Sequence, residues 1–314
     1  NVLYIDATEE RKSMDTVLEI CKWLMDSGAD RNALVLAIGG GITTDMAGFA
    51  ASIYKRGVRF AYIPTTLLAQ VDAAIGGKTG VNFGNYKNIL GVIRQPEFTY
   101  ICPEVLETLP YRDFLSGAAE LLKTFIIDDS DGNYEKSVAV LSEIHSSADH
   151  RRTISAHLTE LEELISAAGK IKAGVVGRDE FEQGERRKLN LGHTFAHAIE
   201  WESRSMPMAP GGISHGEAVA MGMILAARVS ESYYHEKRSE DSGMADKLAD
   251  EFRRCGLPVE CPFPLESLSG AMQKDKKAEG GIVHFVLIHG IGDVRIEDLT
   301  VEEAIRMLHG RATI

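Results

Sequence analysis

A continuous apolar stretch that runs directly into three glycines constrains the fold of this chain more than any other feature of its sequence. Residues 33–38 (ALVLAI) are apolar without alternation, as in a parallel strand covered on both faces, and residues 39–41 (GGG) follow. Helical spacing continues over 44–54, and a second strand is predicted at 59–63 (RFAYI). This order predicts a βαβ unit whose glycine-rich turn lies at the carboxyl end of a strand.

The chain divides into two parts of different character. A further helix is predicted at 16–27, whereas strand signals fade after about residue 106 and helical spacing dominates. The predicted helices of the second part are 112–127, 158–176, 194–202, 216–231 and 244–255. The sequence therefore predicts an α/β protein with a Rossmann-like nucleotide-binding domain over 1–105 and a mostly helical domain over 106–314. Because the chain opens on what resembles a strand, we expect that further N-terminal strands complete the first domain.

The composition argues against several classes of protein. The chain has 314 residues and a formal net charge of −12, which argues against a broad nucleic-acid surface built from clustered Lys and Arg. No apolar run approaches the roughly 20 residues that span a bilayer, so no membrane partner is expected. The 4 cysteines are scattered without a CxxC pair, and neither a disulfide scaffold nor a cysteine zinc site is predicted. Such thiols are typical of the reducing cytoplasm, which is the expected location.

A second glycine-rich stretch, PTTLLAQVDAAIGGKTGVNFGNYKN, follows the second predicted strand. Thr65 and Thr66 come immediately after that strand, where ligands bind in open α/β sheets. A glycine pair then presents Lys78, and Lys87 with Asn88 closes the stretch. Ammonium and amide donors beside flexible backbone favour an anionic substrate, although each lysine taken singly could be an ordinary surface residue.

Carboxylate and imidazole side chains recur among small and apolar residues in the second part. Glu120 lies in SGAAELLK, where an unpartnered carboxylate is costly, and Lys123 follows on the same helical face. His193 and His197 are four residues apart in LNLGHTFAHAIE, and His215 opens a predicted helix in SHGEAVAMG. A glutamate and two histidines from three helices predict an open-sided Zn²⁺ site, whereas the histidine pair alone could equally be a satisfied core pair.

Together these segments resemble the dehydroquinate synthase family of sugar phosphate cyclases. Six motifs match in order: GGGITTDMAGF, IPTTLLAQVDAAIGGKTGVN, SGAAELLK, LNLGHTFAHAIE, SHGEAVAMG and DKKAEGGIVHFVLIHGIGD. The similarity runs from about Glu9 to beyond Asp293 and so covers most of the chain. The resemblance implies an N-terminal NAD-binding domain, a C-terminal helical metal-binding domain, a site in the cleft between them, and a homodimer.

The resemblance also implies roles for individual residues, carried over by motif. One divalent ion, Zn²⁺ or Co²⁺, would be bound by Glu120, His193 and His215. The NAD positions are Glu9, Lys12, Gly39, Gly40, Gly41, Asp45, Thr65, Thr66, Lys78 and Lys87. The positions around the substrate phosphate are Lys78, Asn88, Asn190 and His197, with Arg56 supplied to the neighbouring subunit's site. The residues that would bind the substrate carboxylate are Lys172 and Arg186. Those near the hydroxyls of the substrate ring are Asp72, Lys123 and Glu182. One lysine of a C-terminal pair, taken as Lys276, would also reach the site.

Residue pattern alone gives a plainer interpretation of two of these segments. The stretch DEFEQGERRKLN, which contains Glu182 and Arg186, is strongly charged, and a solvated face is its default interpretation. The pair Lys276–Lys277 would likewise be surface by default.

The chemistry that the resemblance implies accounts for these residue types. The expected substrate is 3-deoxy-arabino-heptulosonate 7-phosphate, a phosphorylated keto-acid sugar, and the products are 3-dehydroquinate and phosphate in the shikimate pathway to aromatic amino acids. The family route is transient oxidation of a hydroxyl by NAD, elimination of phosphate, re-reduction, ring opening and an intramolecular aldol step. The chain would then be an NAD- and metal-dependent carbon–oxygen lyase.

Three other interpretations remain open from the sequence. A valiolone- or deoxy-inosose-type cyclase would act on a sugar phosphate without a carboxylate, which would leave Lys172 and Arg186 without a purpose. A metal-dependent polyol dehydrogenase would release NADH and would need fewer phosphate-directed cations. A binding-only homologue would be expected to lose the metal group and the lysines, which this chain keeps.

Overall fold

The structure is a computed structural model that describes residues 1–84, 86–205, 212–238, 243–276 and 281–309, apart from the side chains of residues 205, 236–238 and 274–276. It divides into two compact units. The first unit comprises Asn1–Gly117 and Leu161–Phe181, and the second comprises Ala118–Glu160 and Glu182–Ile314. The predicted domain boundary after residue 105 stays a prediction.

The first unit contains the predicted βαβ element and two further strands. Its elements in chain order are α1 (Met14–Asp26), β1 (Leu34–Gly39), α2 (Gly41–Ile53), β2 (Arg59–Pro64), a π-helical turn (Ala69–Ala73), β3 (Lys78–Phe83), β4 (Tyr86–Ile93), the start of α3 (Tyr111–Ile127) and most of α6 (Leu158–Arg178). The strands and helices predicted around the glycine turn are therefore confirmed. The prediction that β1 is covered on both faces is wrong for the described residues, because Leu34, Leu36 and Ile38 on one face of the strand are at least 45% exposed. Residues 1–12 contain no strand, so the strand expected at the start of the chain is wrong; a single bridge from Ser13 to Asn82 is the first pairing.

The register of the parallel pair places the glycine turn. β1 and β2 pair from Leu34 with Arg59 to Gly39 with Pro64, so both strands end at the same edge. The N–H of Thr65 donates to the carbonyl of Gly39 at 2.9 Å. The structure thus brings the glycines and the first threonine of the PTT segment side by side.

Apolar side chains of the helices and strands form the core of the first unit. Val17, Met46, Ala50, Phe60 and Val81 come from α1, α2, β2 and β3, and each is at most 1% exposed. Burying such side chains stabilises a fold by about 1.5–3 kcal/mol each. These contacts fix α2, and with it the glycine turn at its start, against the sheet.

Gly117 of α3 packs directly on the backbone that follows the PTT segment. A Cβ at this position would lie 2.4 Å from the backbone nitrogen of Leu68. We expect Gly117→Ala to destabilise the protein by roughly 1–3 kcal/mol, because this backbone cannot move aside freely. The measurement is chemical unfolding, with Gly177→Ala of α6 as the matched control, since a Cβ there meets nothing within 4 Å. Equal stability of the two variants would contradict the close packing at Gly117.

The second unit is mostly helical, as predicted. Its elements are the greater part of α3, then α4 (Asn133–Ser146), α5 (His150–Ala156), α7 (His193–Ser205), α8 (His215–Arg238), α9 (Met244–Arg254), α10 (Leu265–Lys276), β5 (Ile282–Gly290), β6 (Asp293–Thr300) and α11 (Val301–His309). Its core includes Leu121, Phe125, Phe195, Phe252 and Phe285, each at most 1% exposed. Together the two units confirm a mixed α/β chain with a helical C-terminal part.

One expectation for the second unit is wrong. Strands do not end near residue 106, because β5 and β6 form an antiparallel hairpin from Ile282 with Thr300 to Gly290 with Asp293. The physical reason is burial, since Phe285, Val286 and Leu287 are consecutive and all buried. A short apolar run without alternation fits a buried strand and a buried helix segment equally well, and periodicity does not distinguish the two.

Among the helices of the described residues, none is both long and apolar enough to cross a membrane.

Candidate active site

The turn between β1 and α2 leaves a bare helix N-terminus. Gly40 is the N-cap of α2, and within the described chain no side chain caps it. A Cβ at Gly40 would lie 2.9 Å from Cγ2 of Thr66, and one at Gly39 would lie 2.6 Å from Oγ1 of Thr43. The backbone can therefore approach a ligand here only because these positions are glycine. Free N–H groups at a helix N-terminus fit a diphosphate, as an NAD site requires.

A buried lysine joins three segments of the first unit near this turn. The Nζ of Lys12 donates to Oδ2 of Asp45 in α2 and to Oδ1 of Asn88 in β4, both at 2.6 Å. Burial raises the pKa of Asp45, although the ion pair with Lys12 opposes the shift. The contacts bring together three of the residues that the resemblance places near the cofactor or phosphate.

Asn82 extends this network and was missed by the sequence analysis. Its Nδ2 donates to Oε1 of Glu9 at 2.9 Å, and its Oδ1 accepts from the N–H of Asn88 at 3.0 Å. The Nζ of Lys87 lies 3.6 Å from the same Glu9 oxygen. The motif GKTGVNFG contains Asn82, but only contacts across the chain show that it links Glu9 to β4.

A second buried lysine meets the π-helical turn. The Nζ of Lys172 donates to the carbonyl of Asp72 at 2.6 Å and also contacts the Asp72 carboxylate. Lys172 is 7% exposed, and π-helical turns are frequent at functional sites. The charges of Lys172 and Asp72 also act on Asp45, so this pair belongs to the same polar region of the first unit.

Lys78 and Arg56 are placed differently. Lys78 begins β3 with an exposed side chain. Arg56 follows the C-terminus of α2, about 18 Å along the helix from the glycine turn at a rise of about 1.5 Å per residue. It lines an open depression of about 470 Å³ with Asp30, Arg31, Asn32 and Lys55. The structure therefore does not bring Arg56 to the glycine turn of its own chain.

Backbone strain coincides with several of the predicted positions. Among the residues that the structure describes, the non-glycine residues with positive φ are Lys55 (49°), Arg56 (68°), Asn88 (53°) and Glu182 (59°). Such conformations cost roughly 1–3 kcal/mol each and cluster at functional sites. Three of these four are residues to which the resemblance assigns a role.

The second unit brings Glu120, His193 and His215 together. They come from α3, α7 and α8, and their ligand atoms all lie within 4.8 Å of one another. Both carboxylate oxygens of Glu120 are buried, and no described residue donates to either a hydrogen bond of good geometry. Nε2 of His215 lies 3.2 Å from Oε1, and Nζ of Lys123 lies 2.5 Å from Oε2. A buried carboxylate beside two imidazoles from different helices fits a divalent metal ion.

The Nδ1 atom of each histidine has its own acceptor. Nδ1 of His193 lies 3.2 Å from the carbonyl of Leu191, and Nδ1 of His215 lies 3.3 Å from Oε1 of Glu200. When Nδ1 donates, Nε2 carries the lone pair, and both Nε2 atoms face Glu120. Glu200 was not singled out from the sequence, although it stands seven residues after His193 on the same helical face.

The charges of this group support metal binding. Burial would raise the pKa of Glu120, but Lys123 and the two histidines hold it well below its ordinary value. Burial lowers the pKa of His193 to about 3, and the charge of Lys123 adds to that effect. Burial also lowers the pKa of His215, but its contacts with Glu120 and Glu200 outweigh burial and raise it to about 10. Glu120 is therefore ionised and His193 neutral, while a metal ion would displace a proton from His215.

Some of the remaining predicted residues of the second unit contact one another or lie beside the metal group. Nδ2 of Asn190 donates to Oε1 of Glu182 at 2.5 Å, and the ring of His197 lies 5.7 Å from that of His193. Arg186 is 2% exposed, so its default interpretation as solvated surface is wrong. Lys276 ends α10, but its side chain lies outside the described residues.

Comparison with known proteins agrees with this arrangement. The family model for the 3-dehydroquinate synthase N-terminal region matches residues 2–116, and the C-terminal model of the same family matches residues 117–278. The two models together cover both the glycine turn and the metal group.

Individual relatives point the same way. A 3-dehydroquinate synthase of Acidithiobacillus ferrooxidans is 40% identical over 296 residues, covering 94% of this chain and 76% of the relative. One of Pyrococcus abyssi is 40% identical over 300 residues, covering 96% and 82%. A solved 2-epi-5-epi-valiolone synthase of Streptomyces hygroscopicus, with NAD⁺ and Zn²⁺ bound, has a TM-score of 0.81 at 31% identity and covers 98% of this chain and 81% of its own. The chain belongs to the 3-dehydroquinate synthase family.

Proposed function

We propose that this chain is a 3-dehydroquinate synthase. It converts 3-deoxy-arabino-heptulosonate 7-phosphate to 3-dehydroquinate and phosphate, using NAD and one divalent metal ion. The observation that carries the proposal is the group of Glu120, His193 and His215 around a buried carboxylate, in a chain 40% identical to curated synthases. Elimination of phosphate makes the enzyme a carbon–oxygen lyase.

The metal group has the chemistry that the reaction needs. Oε1 of Glu120 and Nε2 of each histidine would hold the ion, and oxygen and imidazole donors suit both Zn²⁺ and Co²⁺. When bound, such an ion supplies a Lewis acid that polarises a hydroxyl oxygen of the substrate. Lys123 keeps Glu120 ionised and offers an ammonium donor beside it, which fits its predicted role at the ring hydroxyls.

The glycine turn and its neighbours would hold the cofactor. The bare N-terminus of α2 would take the diphosphate of NAD, and the network around Lys12 fixes the segments on either side. NAD supplies a hydride acceptor whose reduced form returns the hydride within the same turnover. Lys12 is 7% exposed, so bulk water screens its ion pair with Asp45 less than it would screen an ion pair at the surface.

The cations of the chain match the two anionic ends of the substrate. Arg186 offers a planar guanidinium for the carboxylate, and Lys172 offers a compact ammonium. Lys78, Asn88, Asn190 and His197 would surround the phosphate. Asp72 and Glu182 already pair with Lys172 and Asn190, which orders these donors before substrate binds.

A valiolone-type cyclase is the second candidate, because a 2-epi-5-epi-valiolone synthase shares this fold at 31% identity. The substrate of such a cyclase carries no carboxylate, so the enzyme would need no residues to bind one. Arg186 is among the largest fully buried side chains of this chain. Arg186 and Lys172 stand at the positions that the resemblance assigns to a substrate carboxylate, which favours the carboxylate-bearing substrate.

The proposed quaternary arrangement is a homodimer in which Arg56 reaches the neighbouring subunit's site. Its support is the positive φ of Arg56 and Lys55 and the position of this turn at the far end of α2. The cytoplasmic location likewise stays a prediction.

The test is a comparison of substrates with NAD and Zn²⁺ present. We expect phosphate release from 3-deoxy-arabino-heptulosonate 7-phosphate and at most trace release from sedoheptulose 7-phosphate or glucose 6-phosphate. Faster release from either carboxylate-free sugar would overturn the assignment in favour of another cyclase. Net NADH from a polyol such as glycerol would instead identify a dehydrogenase.

A further inference from the structure

A buried carboxylate stands behind one of the two histidines of the metal group. Oε1 of Glu200 in α7 lies 3.3 Å from Nδ1 of His215 at the start of α8. Glu200 is 6% exposed, so this contact is shielded from water. A carboxylate in such a place is costly unless its charge is used locally.

The other histidine is backed differently. Nδ1 of His193 meets the neutral carbonyl of Leu191 at 3.2 Å. A carboxylate acceptor makes an imidazole more basic and orients it more strongly than a carbonyl does. His215 is also the more exposed of the two, with 33% of its side chain accessible against 13% for His193. His215, the less tightly packed of the two histidines, is therefore the one whose Nδ1 faces a carboxylate.

The local charge gives Glu200 a second role. When both imidazoles are neutral, as metal ligands must be, the carboxylates of Glu120 and Glu200 and the ammonium of Lys123 sum to one net negative charge. A bound dication turns this into one net positive charge. Without the Glu200 carboxylate the loaded group would carry two positive charges in a buried place, where uncompensated charge is costly.

We propose that Glu200 is a positioning residue for the metal: its carboxylate holds His215 with Nε2 toward the ion and compensates the ion's charge. This inference rests on the proposed metal group but not on the identity of the substrate. Glu202, two residues further along α7, is partly exposed, and among the described residues it has no hydrogen bond or ion pair to the metal group, whose carboxylate partner at His215 is Glu200.

The experiment measures metal affinity directly on the full chain. Zn²⁺ affinity is determined by competition with a chromophoric chelator for the wild type, Glu200→Gln and the matched control Glu202→Gln. We expect Glu200→Gln to bind Zn²⁺ about 10–100-fold more weakly, the usual effect of losing such a partner. Glu202→Gln should keep the wild-type affinity.

Cobalt gives a readout that a general loss of stability would not change. In the Co²⁺-loaded protein the visible ligand-field bands report ligand geometry, and they should shift in Glu200→Gln and stay unchanged in Glu202→Gln. Glu200→Asp keeps the negative charge but has a side chain one methylene shorter, which moves the carboxylate away from His215. Its Zn²⁺ affinity should therefore lie between those of the wild type and Glu200→Gln. It also serves as the test if the glutamine variant does not fold.

The outcomes separate this inference from the proposed function. Wild-type Zn²⁺ affinity and unchanged Co²⁺ bands in both Glu200 variants would overturn the role of Glu200 and leave the metal group intact. A wild-type chain that binds neither ion would overturn the metal group itself, and with it this inference.

Discussion

Replacement of His215 by alanine removes the bound metal and lowers turnover by roughly a thousandfold or more. The expectation follows from the geometry, because Nε2 of His215 lies 3.2 Å from Oε1 of Glu120 and no other described imidazole can replace it in this group. Loss of Lewis-acid stabilisation worth several kcal/mol corresponds to about three powers of ten in rate. Metal content by mass spectrometry and steady-state kinetics are the two measurements.

The matched control for this variant lies on the same helix. His235 is an exposed histidine of α8, and His235→Ala should keep one metal ion per chain and full activity. Full activity of a metal-free His215→Ala protein would remove the triad from the mechanism.

Replacement of Arg186 by lysine has the second-largest expected effect. The variant keeps the charge but loses the two parallel donors that match a carboxylate. Hydrogen bonds to charged groups contribute about 1.5–3 kcal/mol, so kcat/KM should fall roughly 10- to 150-fold, chiefly through KM. Initial rates over a range of substrate concentrations give both constants.

Arg187 provides the comparison for this prediction. It is the neighbouring arginine but is only partly buried, so Arg187→Lys should leave KM unchanged. An unchanged KM in Arg186→Lys would mean that the buried guanidinium serves the fold rather than the substrate.

The parts of the fold that the sequence predicts are those with a strong local signal. The strand β1, the glycines after it and the five helices predicted beyond residue 106 appear where periodicity places them, whereas α4, α5, α10 and α11 were not predicted. The C-terminal hairpin is the counter-example. Val286 is buried among buried neighbours, and a short apolar run of this kind fits a strand and a buried helix segment equally well.

The residues of the candidate site also differ in how clearly their sequence context marks them. Glu120, His193 and His215 stand out because carboxylate and imidazole are rare among small apolar residues, and the structure brings them together. Asn82 and Glu200 do not stand out. An asparagine in a polar loop and a glutamate on a helix are common, and their roles depend on partners that only the fold supplies.

Arg186 shows why local pattern can mislead. Its stretch is strongly charged, which is typical of solvated surface, yet its side chain is 2% exposed. The burial of one charged residue among several cannot be inferred from composition, because neighbouring residues point in different directions.

As a 3-dehydroquinate synthase, the chain runs an internal redox cycle that releases phosphate without consuming NAD. The direct measurement follows released phosphate and NADH absorbance in one cuvette, with 3-deoxy-arabino-heptulosonate 7-phosphate and NAD, before and after EDTA treatment and after Zn²⁺ is restored. We expect many equivalents of phosphate per chain, no net NADH, loss of activity with EDTA and recovery with Zn²⁺. Accumulating NADH, or phosphate release that persists without metal, would contradict it.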